Sequence, residues 1–177
     1  IPGMQERTLI VNTFAKKLAM TGWRVGASIG PAEVIKHIAR FNINDESCTN
    51  HFIQHALAET VEGDQSGAKA LLSELQTRRD VMVEGLNAIN GIHVPKPEST
   101  FYLFPNVTKV MAKKEFTDLD EFRIAALEST GVSFCARHHF GTPLEHETEH
   151  YIRLAYSGIT QNDIREGLGK LKSWLEG

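Results

Sequence analysis

A mixed α/β fold is predicted, because short runs rich in β-branched and apolar residues alternate with longer segments whose apolar positions recur at the helical period. Thr8-Leu9-Ile10-Val11-Asn12-Thr13-Phe14 is too short and too apolar for a helix and reads as a buried strand ending at Ala15-Lys16-Lys17. Residues 23–30 read as a second strand, closed by Gly30 and Pro31. Pro31 then opens a helix over residues 32–41, where its missing N–H costs nothing, and Val34, Ile35, Ile38, Ala39 and Phe41 share one face. A break is expected at Asn42-Ile43-Asn44-Asp45. Helical spacing returns over residues 49–61 and again over residues 67–90, with Gly91 as the natural residue just past the helix end. After Pro95 and Pro97 the texture changes to short elements, which places a domain boundary near residues 90–97. Strands are expected at 100–104, 132–136 and 151–156, and helices at 118–129, with Thr117 as N-cap, and at 161–176.

Composition removes several functions. The 177 residues, 41% hydrophobic and 23% charged, match an ordinary globular chain rather than a disordered or fibrous one. With 19 basic and 22 acidic residues spread along the sequence, no cationic stretch is available to neutralise a run of nucleic acid phosphates. No apolar run approaches the roughly 20 residues needed to cross a bilayer, and a cytoplasmic protein is expected. Cys48 and Cys135 stand alone, without a CxxC pair, so neither a disulfide framework nor a zinc site is signalled. The chain starts Ile1-Pro2-Gly3-Met4 and enters a strand-like run almost at once, as a segment cut from something longer would.

The most informative stretch is Thr13-Phe14-Ala15-Lys16-Lys17-Leu18-Ala19-Met20-Thr21-Gly22-Trp23-Arg24. It sets a lysine just past a strand, a hydroxyl three residues before it and an arginine eight residues after it. A lysine emerging from an apolar strand end is a candidate nucleophile toward an aldehyde, because desolvation frees the amine. The hydroxyl and guanidinium suit a phosphate. A merely solvated lysine fits the same spacing. A second stretch, Tyr151-Ile152-Arg153-Leu154-Ala155-Tyr156-Ser157, puts one cation among apolar strand residues. Buried without a partner, that arginine would be costly; on an edge strand it would simply sit in water.

The first stretch resembles the lysine motif of class I and II aminotransferases, S-x-S-K-x-x-x-M-T-G-W-R. Ala19 through Arg24 agrees with the family's common form, and aligning Met20-Thr21-Gly22-Trp23-Arg24 assigns Lys16, not Lys17, to the cofactor lysine. The same register implies that Thr13 hydrogen-bonds the phosphate of pyridoxal 5′-phosphate and that Arg24 pairs with it. Ala15 replaces a small hydroxyl residue often found before the lysine. The second stretch is similar to the family's I-R-L-S-Y, which implies that Arg153 grips the substrate α-carboxylate, a task for a planar bidentate fork. Ser99-Thr100-Phe101-Tyr102-Leu103-Phe104-Pro105 resembles the family's G-A-F-Y-L-F-P strand, and Ser47 to Gln54 is similar to the segment after the lysine region, near the dimer interface in family members. The aromatic residues of both are read as packing. Ala136-Arg137-His138-His139-Phe140-Gly141 departs from P-G-S-x-F-G and reads as a variant rim loop. With His146 and His150 it invites a metal reading, but the H-E-x-x-H signature is missing, so no metal ligands are assigned.

The resemblance implies the C-terminal remnant of the large cofactor-binding domain plus the small α/β domain of a fold type I enzyme, divided as residues 1–92 and 93–177. It further implies pyridoxal 5′-phosphate as cofactor, an amino acid and a 2-oxo acid as substrates, and a homodimer. Another pyridoxal phosphate reaction on the same scaffold, such as β-elimination, would use Lys16 and Arg153 equally well. The aminotransferase-like sensing half of a transcription regulator also remains open.

Overall fold

A computed structural model describes all of residues 1–177. The chain divides into two compact units, Ile1–Leu71 and Leu72–Gly177. The first holds β1 (Ile10–Thr13), β2 (Gly26–Ile29), α1 (Ala32–Asp45) and α2 (His51–Glu62). The long helix α3 (Ser66–Asn87) begins there and runs into the second unit. That unit continues with β3 (Tyr102–Leu103), α4 (Thr108–Lys113), α5 (Leu119–Thr130), β4 (Cys135–Ala136), β5 (Ile152–Ala155) and α6 (Gln161–Glu176).

In the first unit β1 and β2 form an antiparallel ribbon in which Ile10 faces Ile29 and Thr13 faces Gly26. Only glycine fits opposite Thr13, since a Cβ at Gly26 would meet the Asn12 carbonyl oxygen at 2.7 Å. The expected buried strand is overturned: all four residues of β1 are exposed, Val11 at 77%. The physical reason is that β2 is its only strand neighbour, so the ribbon has no sheet to bury its apolar side chains. Helix α1 also runs through the break expected at residues 42–45. Neither glycine nor proline stands there, and the helix stops only at Asp45, before Ser47 turns left-handed at φ 65°. Asn50 caps α2 by accepting a hydrogen bond from Phe52 N–H at 3.3 Å.

The second unit holds the larger core, which runs from Val81 at the end of α3 to Leu175 in α6. Leu86 and Phe122 are at most 1% exposed, and each stabilises the fold by about 1.5–3 kcal/mol through burial. The three strands are antiparallel in the order β3-β5-β4, so the last strand in sequence is the central one. Helix α3 ends at Asn87, whose side-chain amide both donates to the Val94 carbonyl and accepts from Val94 N–H at 2.9 Å. Gly91 lies inside that turn with φ +92°. Asp118, not the expected Thr117, caps α5, accepting from the N–H groups of Asp120 and Glu121. Its carboxylate adds a charge at the positive helix end that a hydroxyl lacks. In α6 Thr160 and Asp163 form a reciprocal capping box. Helix α4 was not foreseen, because six residues are too few to display a period, although Val110 and Met111 bury its inner side.

Candidate active site

The first unit concentrates the lysine motif at one end of its ribbon. Thr13 closes β1, and Phe14 N–H donates to the Val25 carbonyl at 3.3 Å, so that Arg24 falls just outside the last strand pair. Between them the chain turns tightly. Met20 N–H donates to the Ala15 carbonyl at 2.8 Å, and Ala15 is buried beneath the turn. Ala15 N–H donates to Thr13 Oγ1 at 3.2 Å, which occupies a lone pair and leaves the hydroxyl proton to donate elsewhere. Arg24 is left-handed, φ 51° and ψ 51°, a conformation that costs a non-glycine residue about 1–2 kcal/mol. One of its N–H groups donates to the Thr21 carbonyl at 3.0 Å, and the side chain is otherwise exposed. Trp23 meets Phe52 of α2 edge-on at 6.2 Å between ring centroids. Lys16 and Lys17 are both exposed. The apolar enclosure expected around a strand-end lysine is therefore not supplied by this ribbon, whose strands bury nothing.

The second unit positions Arg153 by strand alternation. Ile152 and Leu154 point into the core, so Arg153 projects from the opposite face of β5, with Cys135 as its cross-strand partner. Tyr102 pairs with Ala155 and is therefore diagonal to Arg153 on the same face. The guanidinium carbon lies 4.2 Å from the centroid of the Tyr102 ring and 3.8 Å from that of Phe140. No carboxylate of the chain pairs with it. Phe140 comes from the 3-10 turn Arg137–Phe140, which is pinned from behind. Arg137 makes a forked pair with Glu147, at 2.9 Å from Nε and 3.0 Å from an NH2 group, and a further bond to the Gly141 carbonyl.

Thr13, Lys16 and Arg24 thus all belong to the ribbon end of the first unit, and Arg153 stands in the second. Sequence reasoning missed Tyr102 and Phe140, which had been read as packing and rim. The register of Tyr102 against a strand that carries a lone arginine was the available signal. Nothing local to the sequence places Phe140 over Arg153.

The family model described as Aminotransferase class I and II matches residues 2–171. The chain belongs to that family. Among curated aminotransferases it is 32% identical over 171 residues to the asparagine–oxo-acid transaminase of Streptococcus mutans, covering 97% of this chain and 42% of the relative. It is 34% identical over 181 residues to the aspartate/prephenate aminotransferase of Cereibacter sphaeroides, covering 99% of this chain and 44% of that one. Among solved aminotransferase structures, the aromatic aminotransferase of Pyrococcus horikoshii superposes with a TM-score of 0.88 at 28% identity, over 99% of this chain and 45% of its own. The aspartate aminotransferase of Rhizobium meliloti does so with a TM-score of 0.83 at 30% identity, over 99% and 44%. The chain therefore spans less than half the length of these aminotransferases, and its mixed α/β structure matches part of the aminotransferase fold. No helix is long and apolar enough to cross a membrane.

Proposed function

We propose that this chain is the C-terminal part of a pyridoxal 5′-phosphate-dependent aminotransferase that moves an amino group between an amino acid and a 2-oxo acid. In this reading residues 1–92 belong to the large cofactor-binding domain and residues 93–177 form the small domain, in an enzyme that works as a homodimer. The observation that carries the reading is the lysine motif, held in register at the ribbon end with a free hydroxyl proton at Thr13 and exposed guanidinium donors at Arg24.

That donor set fits the cofactor. A hydroxyl and a guanidinium are complementary to a phosphate dianion, and a primary amine is complementary to an aldehyde. Lys16 would hold the cofactor through Nζ, while Thr13 and Arg24 would hold its phosphate. When bound, the cofactor's pyridine ring supplies the electron sink that this chain's side chains lack. Lys16 Nζ would serve as the proton carrier, accepting the proton of the amino acid's α-carbon and passing it on in the transfer. Arg153 orients the substrate through its α-carboxylate. Its guanidinium packs on the Tyr102 and Phe140 rings, and no internal acid competes for its donors. The names of the relatives, which speak of amino acids and an oxo acid, support the substrate class.

The test is to supply the full-length protein with the cofactor, a panel of amino acids and a 2-oxo acid acceptor, and to measure oxo acid and ammonia together. Amino transfer forms oxo acid beyond the amount of cofactor supplied only when the acceptor is present, and it releases no ammonia. Ammonia formed in step with oxo acid, without an acceptor, would replace this reading by a lyase reaction.

A further inference from the structure

We propose that Asp120, His138 and His139 form a site for a first-row divalent transition metal of the zinc, cobalt and nickel class. The histidine-rich loop lacks a third ligand in sequence, but the fold supplies one. Asp120 stands in the first turn of α5, and the 3-10 turn Arg137–Phe140 brings both imidazoles to it, so that one ligand atom from each residue lies within 4.8 Å of the other two. His138 Nε2 already lies 3.1 Å from Asp120 Oδ2. The two imidazoles meet edge to face at 4.6 Å and 73°. His146 and His150 do not join the group.

The surroundings prepare the ligands. Arg123 Nε donates to Asp120 Oδ1 at 3.0 Å, which orients the carboxylate and leaves Oδ2 toward the histidines, as an outer partner of a metal-bound carboxylate does. Two imidazole nitrogens and one carboxylate oxygen suit zinc-class ions better than magnesium or calcium, which prefer all-oxygen shells. Three protein ligands also leave a position for water.

Closing the site requires modest movement. Ligand atoms about 2.0–2.2 Å from a tetrahedral ion stand about 3.3 Å apart, so the widest pair must draw in by about 1.5 Å. Both histidines are exposed, and side-chain rotation is enough. Two existing contacts yield. The contact between His138 Nε2 and Asp120 Oδ2 opens, any proton on that nitrogen leaves to water, and the ring proton that remains sits on Nδ1. Ala136 N–H, which donates to His139 Nδ1 at 3.3 Å, gives up that acceptor, whichever ring nitrogen binds the ion. Phe140 follows His139 directly and packs on Arg153, so an occupied site ties α5 to the turn that covers the arginine.

The experiment titrates the 177-residue chain with cobalt(II), followed by its visible absorption, and with zinc(II) in competition. It is repeated on Asp120→Asn, His138→Gln and His139→Gln, with a His146→Gln/His150→Gln double variant as control and far-ultraviolet circular dichroism confirming the fold of each. One equivalent is expected to bind. Each of the three single variants should weaken binding by about tenfold or more, the scale seen even for lost outer-shell partners, while the double variant leaves it unchanged. Hydrogen exchange at residues 137–140 should slow when zinc is added. Absence of a one-equivalent cobalt spectrum, undiminished binding in the His138 and His139 variants, or loss of binding in the control would overturn the site. Bound metal with unchanged exchange at residues 137–140 would overturn the tie to the turn.

Discussion

The guanidinium carbon of Arg153 lies 3.8 Å from the centroid of the Phe140 ring, although the two residues come from a central strand and a separate turn. Tyr102 packs on the same guanidinium, its ring centroid 4.2 Å away. Arg153→Lys in the full-length protein is expected to weaken amino-acid binding by on the order of 2 kcal/mol, about thirtyfold, while cofactor binding changes little. Phe140→Leu should have a smaller effect in the same direction, about 0.5–1 kcal/mol. Titration with amino acids measures both. An unchanged affinity in Arg153→Lys would remove the arginine from the substrate site.

The motif register separates two adjacent amines. Lys16→Ala in the full-length protein should abolish the visible absorbance of the covalently held cofactor, whereas Lys17→Ala should leave it largely intact. Absorbance spectra of the two purified variants decide the matter, and loss from Lys17→Ala alone would mean that the wrong lysine was aligned.

Tyr156 is 1% exposed, and its hydroxyl donates to the Thr100 carbonyl at 2.9 Å. Thr100 is left-handed at φ 69°, so this bond helps to hold a conformation that a β-branched residue disfavours. Tyr156→Phe should destabilise the second unit by about 0.5–1.5 kcal/mol, read from urea denaturation. A midpoint that does not move would show that Thr100 is held by other contacts.

Acid should loosen the start of α6. The Thr160 hydroxyl and backbone N–H both donate to Asp163, and together, against a small burial effect, they hold its carboxyl below the usual 3.8. The native state therefore binds this proton less readily than the unfolded chain. The contribution is fully present above the unfolded value and is lost as pH falls through the lower folded value, in the window below about pH 4. Asp163→Asn should lose stability less steeply than the parent between about pH 4 and pH 2. Parallel denaturation curves across that range in both proteins would show that the cap carries no pH dependence.

Much of the secondary structure was legible because its causes are local. The apolar period of residues 161–176 acts within a few residues, and α6 falls where it put the helix. The helix expected to reach residue 90, with Gly91 just past its end, stops instead at Asn87. The lysine motif was legible for the same reason: Thr13, Lys16 and Arg24 share one hairpin, whose register follows from a short stretch of chain. Thr117 and Asp118 differ by a single position, and only the extended backbone at Asp118 decided which side chain reached the helix's N–H groups.

Burial and long-range partnership were not legible, because both depend on what the rest of the chain brings. The apolar run at Ile10 and Val11 predicts a buried strand, yet with β2 as its only strand neighbour its side chains remain exposed. Arg153 could be recognised from its own segment, but β3 and the Arg137–Phe140 turn had to be placed against β5 before Tyr102 and Phe140 became its neighbours. Asp120 likewise met His138 and His139 only when α5 packed near that turn. Sequence by itself determined the family and the run of helices such as α6, because those rest on patterns near in the chain. Only the tertiary structure decided which surfaces are covered and which distant side chains meet, because apolar burial and ligand geometry are properties of space rather than of spacing.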